Sequence, residues 1–270
     1  MPLDALAPIL NDHLHGQGRL RVWSLIVTFL GDAIEPRGGG AVQSARITSI
    51  MDRLGVSRAA QRTALSRLVA DGWIERDRDP ADGRAAIFRF SAIGRQEFIP
   101  AARLVYAAPG AVTSGDWVVT QSTDPRGIMI APGVGLWPAG FAPRYRGLTL
   151  IGRIEEVPDN ARVVGADHDA ETAALLHLAR YIQHHPPSEP LDAMAARTVL
   201  IHRWRRYVLR FPELPPAIAP LEWEGLTLRA HVAQAYLDVQ APSETWLSSA
   251  GAGFAGLPPG DAGSRFGRKE

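Results

Sequence analysis

The sequence predicts an α+β protein of several domains: a winged helix-turn-helix at the N-terminal end, a small central α+β domain and a helical C-terminal domain. Three observations predict it. Residues 18–92 read as helix, helix, tight turn, helix and hairpin in that order; residues 115–167 carry short β-patterned runs separated by turn residues; and residues 168–247 return to helical periodicity. A chain of 270 residues that is 46% hydrophobic can bury a substantial core, and its length fits two or three domains.

Each element has a local reason. Between Arg19 and Ala33, Leu20, Trp23, Leu25, Ile26, Val27 and Leu30 wrap a helix almost completely in apolar side chains, which predicts a core helix. EPRGGG breaks it. Ser44 is then placed to cap a second helix through Arg53, whose Ile47, Ile50, Met51 and Leu54 share one face, and Gly55 ends it. Ser57 is placed to cap a third helix that runs to Asp71 and stops at Gly72. WIERDRDPADGRAAIFRFS then reads as two strands joined at Pro80, Asp82 and Gly83. A linker helix and linker are expected over residues 93–114, ending in the Pro- and Gly-rich AAPGAVTSG. In the central domain, strands are expected at Trp117–Gln121, Gly127–Pro132, Leu148–Val157 and Ala161–Ala166, with PGVGLWPAG (Pro132–Gly140) as a turn. Residues 248–270 are low in large apolar side chains and are expected to be a disordered tail.

The third helix carries the first functional pattern. On a 100° wheel, Ala64, Leu65, Leu68 and Val69 turn inward, and Gln61 falls on the same side. Outward lie Thr63, Ser66 and Arg67, flanked by Ser57, Arg58 and Arg62: a short polar and basic face of the width a DNA major groove admits. The hairpin that follows adds Arg76, Arg78 and Arg84, placed to grip phosphate beside the groove. The competing reading, a solvated face paired with Asp71 and Glu75, explains the helix but not the basic hairpin next to it. Operator DNA is therefore the expected partner, with Arg62, Thr63, Ser66 and Arg67 at the base edges. One helix and one wing cover little DNA, so a homodimer is expected.

Whole-chain charge adds little. Residues 1–106 hold 14 Arg against 11 acidic residues in a chain of net charge +1, so DNA binding must rest on where arginines point. There are no cysteines, which excludes disulfides and thiolate chemistry and fits a cytoplasmic protein. The opening MPLDALAPILNDHLHG carries two aspartates and no basic leader, unlike a signal peptide, and Val22–Leu30 is too short to span a bilayer. His168, His177, His184 and His185 have no metal-ligand spacing, and no catalytic motif stands out, so neither a cofactor nor an enzymatic activity is expected.

The second pattern lies between Arg197 and Leu237. Met194, Ile201, Trp204, Val208 and Phe211 form a buried helical stripe, and Arg197 points into its middle. A buried guanidinium needs either an internal carboxylate or an anionic ligand. Arg197, Leu200, His202, Arg205, Leu209, Pro212, Leu214, Pro215, Pro220, Trp223, Gly225 and Tyr236 together resemble the C-terminal pattern of the PaaX-type phenylacetate-degradation repressors. SLIVTFLGDAIEPRGG and RTALSRLVADGWIE resemble that family's winged-helix domain. The resemblance covers most of residues 20–245. It implies a dimeric repressor released from its operator by an acyl-CoA thioester, phenylacetyl-CoA in the founding case, and a ferredoxin-like, Cas2-like central domain. That domain is abridged here, because Trp117–Gln121 reaches Ile130–Val134 without the family's intervening helix. For such an effector the helix from Leu191 to Phe211 offers Arg197, His202, Arg205 and Arg206 to anionic or carbonyl groups, with Trp204 and Trp223 as walls. The alternative is a Mg-dependent, Cas2-like nuclease built on Asp116, the one carboxylate at a strand end.

Overall fold

The computed structural model describes residues 6–15, 20–37, 40–111, 116–121, 128–139, 142, 147–154, 164–211, 213–251, 253–260 and 265–267. The chain forms two compact units, each assembled from separate segments: unit 1 from Met1–Ala102, Leu178–Arg203 and Gln234–Gly263, and unit 2 from Arg103–His177, Trp204–Ala233 and Ser264–Glu270. The sequence reading lays its domains end to end; the units instead share out the long C-terminal helices, whose apolar faces continue past any one segment.

Unit 1 begins with α1 (Leu6–His15), which the sequence reading leaves unassigned, and α2 (Val22–Phe29), whose Leu25, Ile26, Val27 and Phe29 are buried. α2 continues into one wide π turn, Leu30–Ile34, that carries Asp32 into the interior. β1 (Val42–Gln43) leads into α3 (Ser44–Arg53), with Ile47, Ile50 and Met51 buried on the expected face. Gln43 takes the capping position and makes no side-chain cap bond, so Ser44 opens the helix instead of capping it. α4 (Arg58–Ala70) follows, then β2 (Ile74–Arg78) and β3 (Ala86–Phe90), and the sheet order is β1-β3-β2, antiparallel throughout. Gly55 and Gly72 sit at φ of 71° and 72°, a conformation that L residues with a Cβ resist, and so end α3 and α4 where the sequence predicts. α5 (Ala92–Val105) is the expected linker helix.

In unit 2, β4 (Trp117–Gln121), β5 (Ile128–Ala131), β6 (Val134–Pro138) and β7 (Thr149–Gly152) form an antiparallel sheet of order β5-β6-β4-β7. β6 corrects the expected turn at Pro132–Gly140: only residues 132–133 turn, and Val134–Pro138 pairs with both β4 and β5. The glycine that suggested a loop, Gly135, leaves the space over which the Trp137 ring folds. The strand expected at 148–157 is confined to Thr149–Gly152, with residues 155–157 outside the described set. Of the strand expected at 161–166, residues 161–163 are also outside it, and Ala166 opens a helix.

Three long helices complete the chain: α6 (Ala166–His184), α7 (Pro190–Val208) and α8 (Leu228–Ser248). The tail also departs from expectation. Gly251 and Phe254 pair as a β-bridge, Leu257 N–H donates to Leu247 O at 2.8 Å, and Phe266 is buried against Tyr106. Aromatic anchors therefore hold Phe254 and Phe266, with the described residues beside them, within a stretch whose composition predicts disorder. No helix among the described residues is long and apolar enough to cross a membrane.

Candidate functional site

Two surfaces gather the residues singled out by sequence, one in each unit. In unit 1, α4 buries Ala64 and Leu68 and exposes Arg58, Arg62, Thr63, Ser66 and Arg67. Gln61 is buried as expected and donates to Asp52 Oδ1 and Val56 O, both at 2.7 Å, which ties α4 to the turn before it. The Ser57 side chain accepts from Ala60 N–H at 3.3 Å, the expected N-cap. Arg67 pairs with Asp71 at 3.3 Å and Arg58 with Asp52 at 2.6 Å, with the two arginine side chains 69% and 64% exposed. Exposed pairs of this kind hold an arginine weakly and leave it available to a stronger anion.

The hairpin exposes Arg76, Arg78 and Arg84. Its turn is ordered by carboxylates: Ala81 N–H donates to Asp79 at 2.8 Å, Arg84 N–H to Asp82 at 3.0 Å, and Asp79 N–H to Ala85 O at 2.9 Å. The bond from Ala81 and a second from Gln43 hold the Asp79 carboxyl below its ordinary range. A protruding basic hairpin beside a short basic helix can meet phosphates and a groove together.

Unit 2 holds a cavity of about 160 Å³. Trp204, Tyr207, Trp223, Leu214 and Leu228 supply its apolar walls, with Glu213 and Arg229 as polar members. Trp204 lies flat on Tyr207 at 5.7 Å between ring centroids and donates through Nε1 to Val105 O at 2.8 Å. Arg229 stacks over Trp204 at 4.7 Å, donates to the Glu213 carboxylate, and reaches Val105 O at 3.3 Å and Ala107 O at 3.0 Å. Behind this wall, His168 stacks on Phe211 at 4.7 Å and meets the edge of Trp223 at 5.2 Å; its Nε2 lies 2.9 Å from Tyr207 Oη. Burial pushes the His168 imidazole down to about 4, so it is neutral near pH 7. Trp223 is held by Asp169, its Nε1 donating at 2.8 Å.

Only part of the sequence-derived effector set falls here. Trp204 and Trp223 line the cavity; Arg205, half-buried, and Arg206, exposed, stand on the same helix outside its lining. Arg197 and His202 are corrected. Both are buried in unit 1, where Arg197 donates from Nε to Asp32 at 2.6 Å and from Nη1 to Glu244 at 2.8 Å and Ser243 at 3.0 Å. Burial opposes its charge, but Asp32 and Glu244 outweigh it and hold the guanidinium well above its ordinary value. Arg197 is thus the internal ion pair, with its donors committed inside the protein. His202 Nδ1 lies 3.3 Å from the Thr28 hydroxyl, equally enclosed. Sequence reasoning missed Tyr207, Glu213 and Arg229. Tyr207 was within reach, since it stands three residues after Trp204 on one helix face.

Asp116 is exposed and pairs with Arg153 at 3.5 Å. Among the described residues no group of three or more His, Asp or Glu side chains could hold a metal ion.

Comparison with known proteins finds matches in both the N-terminal and the C-terminal part of the chain. The model of the PaaX-like protein family matches residues 21–94, and that of the PaaX-like protein C-terminal domain matches residues 161–249. The chain is similar to the transcriptional repressor PaaX of Escherichia coli (strain K12), with 27% identity over 91% of this chain and 89% of the relative. The first match spans α2 to the hairpin and the second spans the long helices that carry the Arg197 pair and the cavity wall. The chain belongs to the PaaX-like family.

Proposed function

We propose that this protein is a transcriptional repressor that binds operator DNA as a homodimer through an N-terminal winged helix-turn-helix, and that an aryl-CoA thioester releases it. The observation that carries the DNA-binding half is the joint exposure of Arg62, Thr63, Ser66 and Arg67 on α4 with Arg76, Arg78 and Arg84 on the hairpin. The relative named above as a repressor supports the same reading. In it, Arg67 and Ser66 read base edges and Arg84 grips phosphate. The nuclease alternative has no support, since Asp116 pairs with Arg153 and, among the described residues, no group of three or more His, Asp or Glu side chains could hold a metal ion.

For the effector, the unit 2 cavity is the proposed seat of the acyl end. A dry cavity of about 150 Å³ lined by apolar side chains accepts a benzene ring, and this one is close to that size, with indole and phenol walls. It is too small for a whole coenzyme, so the CoA portion lies outside, with the exposed Arg206 on the same helix as Trp204 and Tyr207 the proposed partner of its phosphates. The test is operator binding measured by fluorescence anisotropy with added phenylacetyl-CoA, acetyl-CoA or free CoA. Release by the aryl thioester alone is expected, and narrowing the cavity with Leu214→Trp is expected to abolish that release while operator affinity stays the same. Operator binding that no acyl-CoA alters would remove the effector half and leave the DNA-binding half standing.

A further inference from the structure

The wing turn is tied to the C-terminal segment through a single side chain. Arg46 of α3 is fully buried, and its guanidinium donates to backbone carbonyls: Nη1 to Trp246 O at 2.7 Å, and Nη2 to Ser249 O at 2.6 Å and Ala255 O at 2.8 Å. The guanidinium is sandwiched between Trp246 at 4.7 Å and Phe254 at 4.2 Å. So placed, it fixes Ser249, Phe254 and Ala255 against α3. The Ala255 peptide is gripped from both sides, because its N–H donates to Gln43 Oε1 at 2.6 Å while its carbonyl accepts from Arg46. The other end of the Gln43 amide donates to the Asp79 carboxylate, which also accepts from Ala81 and so shapes the turn of the hairpin. Arg37 adds a further tie, donating from Nε to Pro258 O at 3.0 Å.

We propose that Gln43 is a positioning residue for DNA binding: it holds the turn Asp79–Ala85, and with it Arg78 and Arg84, in the pose that meets phosphate, and the Arg46-clamped segment 253–258 holds Gln43. The proposal rests on the DNA-binding reading above and adds to it a role for the C-terminal segment. An amide is the group this position requires. Its oxygen satisfies a peptide N–H while its nitrogen satisfies a carboxylate; no carboxylate or ammonium at position 43 does both, and a hydroxyl would have to serve the two partners from one oxygen atom. Exposed hairpin turns sample many conformations, and a turn ordered before contact spares that cost when the complex forms. The tie also covers a liability, because Asp79 stands within a basic hairpin and would repel phosphate if its carboxylate were turned outward.

The experiment is a double-mutant cycle in the full chain between Gln43→Ala and Arg84→Ala. The probe is a duplex selected by the unmutated chain from a random-sequence pool, titrated at several salt concentrations. Gln43→Ala is expected to weaken binding about tenfold and lower the salt slope by about one, with its melting temperature unchanged. Arg84→Ala should then cost almost nothing further in that background. Gln43→Glu, which keeps the bond to Ala255 N–H and repels Asp79, should weaken binding at least as much, and Phe254→Ala should reproduce the loss of slope. A merely structural role would lower the melting temperature and leave the slope and the additivity intact. Full additivity, or unchanged binding by both Gln43 variants, overturns the assignment alone. Absence of salt-dependent binding by the unmutated chain overturns the DNA-binding reading and this assignment with it.

Discussion

Arg67 of α4 and Arg197 of α7 look alike in sequence and sit in opposite surroundings. Arg67 is 69% exposed and held by one carboxylate at 3.3 Å, whereas Arg197 is 2% exposed and held by Asp32, Glu244 and Ser243. The first leaves its charge at the surface; the second spends it inside the fold. What separates them is the face of the helix each stands on and whether a carboxylate from a distant segment arrives there. Helical periodicity supplies the face, but the carboxylate comes from 165 residues away, on a π turn.

The largest expected effect tests the buried arginine. Arg197→Ala would leave Asp32 charged, enclosed and short of its guanidinium partner, with the Tyr236 hydroxyl 3.2 Å away. The expected loss is about 3–5 kcal/mol of folding stability, read from the urea midpoint. Arg197→Met combined with Asp32→Leu removes both charges together and should recover most of that loss. If Arg197→Ala is as stable as the unmutated chain, the ion pair is not what joins α2, α7 and α8, and the contrast with α4 disappears.

The next effect is a pH dependence that belongs to unit 2. His168 titrates at about 4 in the folded protein because burial disfavours its cation, against about 6.5 when unfolded. The unfolded chain therefore binds more protons between these values, and stability rises with pH across that window. The contribution is fully present above pH 6.5 and is lost as pH falls toward 4, amounting to about 2 kcal/mol lost by pH 5. Urea unfolding at pH 7 and pH 5 measures it. His168→Gln should be less stable at pH 7 yet lose less between the two pH values.

These two cases mark what the sequence makes legible. The three-helix and hairpin order, the outward face of α4, the inward Gln61 and the burial of Arg197 all follow from periodicity and capping within a few turns of chain. Asp32, Glu213 and Arg229 do not, because nothing local distinguishes a carboxylate that meets an arginine across the fold from one that meets water. β6 was obscured by its glycine, which marks a ring-packing position within a strand. The tail misled by composition: Phe254 and Phe266 are single anchors in a polar stretch, and averages over such a stretch hide them.

A smaller effect sharpens the exposed side. Arg67→Ala should change folding stability by no more than about 0.5 kcal/mol, while its selectivity among operator sequences falls by about 1–3 kcal/mol. Arg84→Ala should weaken all sequences alike and reduce the salt slope by about one. Equal loss of selectivity in the two variants would contradict the division into base reading and phosphate grip. Sedimentation of the operator complex should give two chains per duplex, and one chain per duplex would refute the dimer.

The smallest effect concerns Asp71, the carboxylate that Arg67 would have to leave in the proposed contact with DNA. Both side chains are more than half exposed, so their pairing is worth about 0.2–1 kcal/mol. Asp71 also stands at the C-terminal end of α4, where the helix dipole disfavours a negative charge. The two terms oppose each other, and Asp71→Asn should leave the melting temperature nearly unchanged. In the complex the balance shifts. The unmutated chain must break the pair and bring a carboxylate toward phosphate, and the variant does neither. Operator affinity is therefore expected to rise by a factor of about 1.4 to 5, the Boltzmann equivalent of that pair energy, with the gain disappearing when Arg67 is already alanine. A gain that persists without Arg67 would mean that Asp71 acts through long-range repulsion alone, and the exposed pair would then have no part in setting how strongly α4 holds DNA.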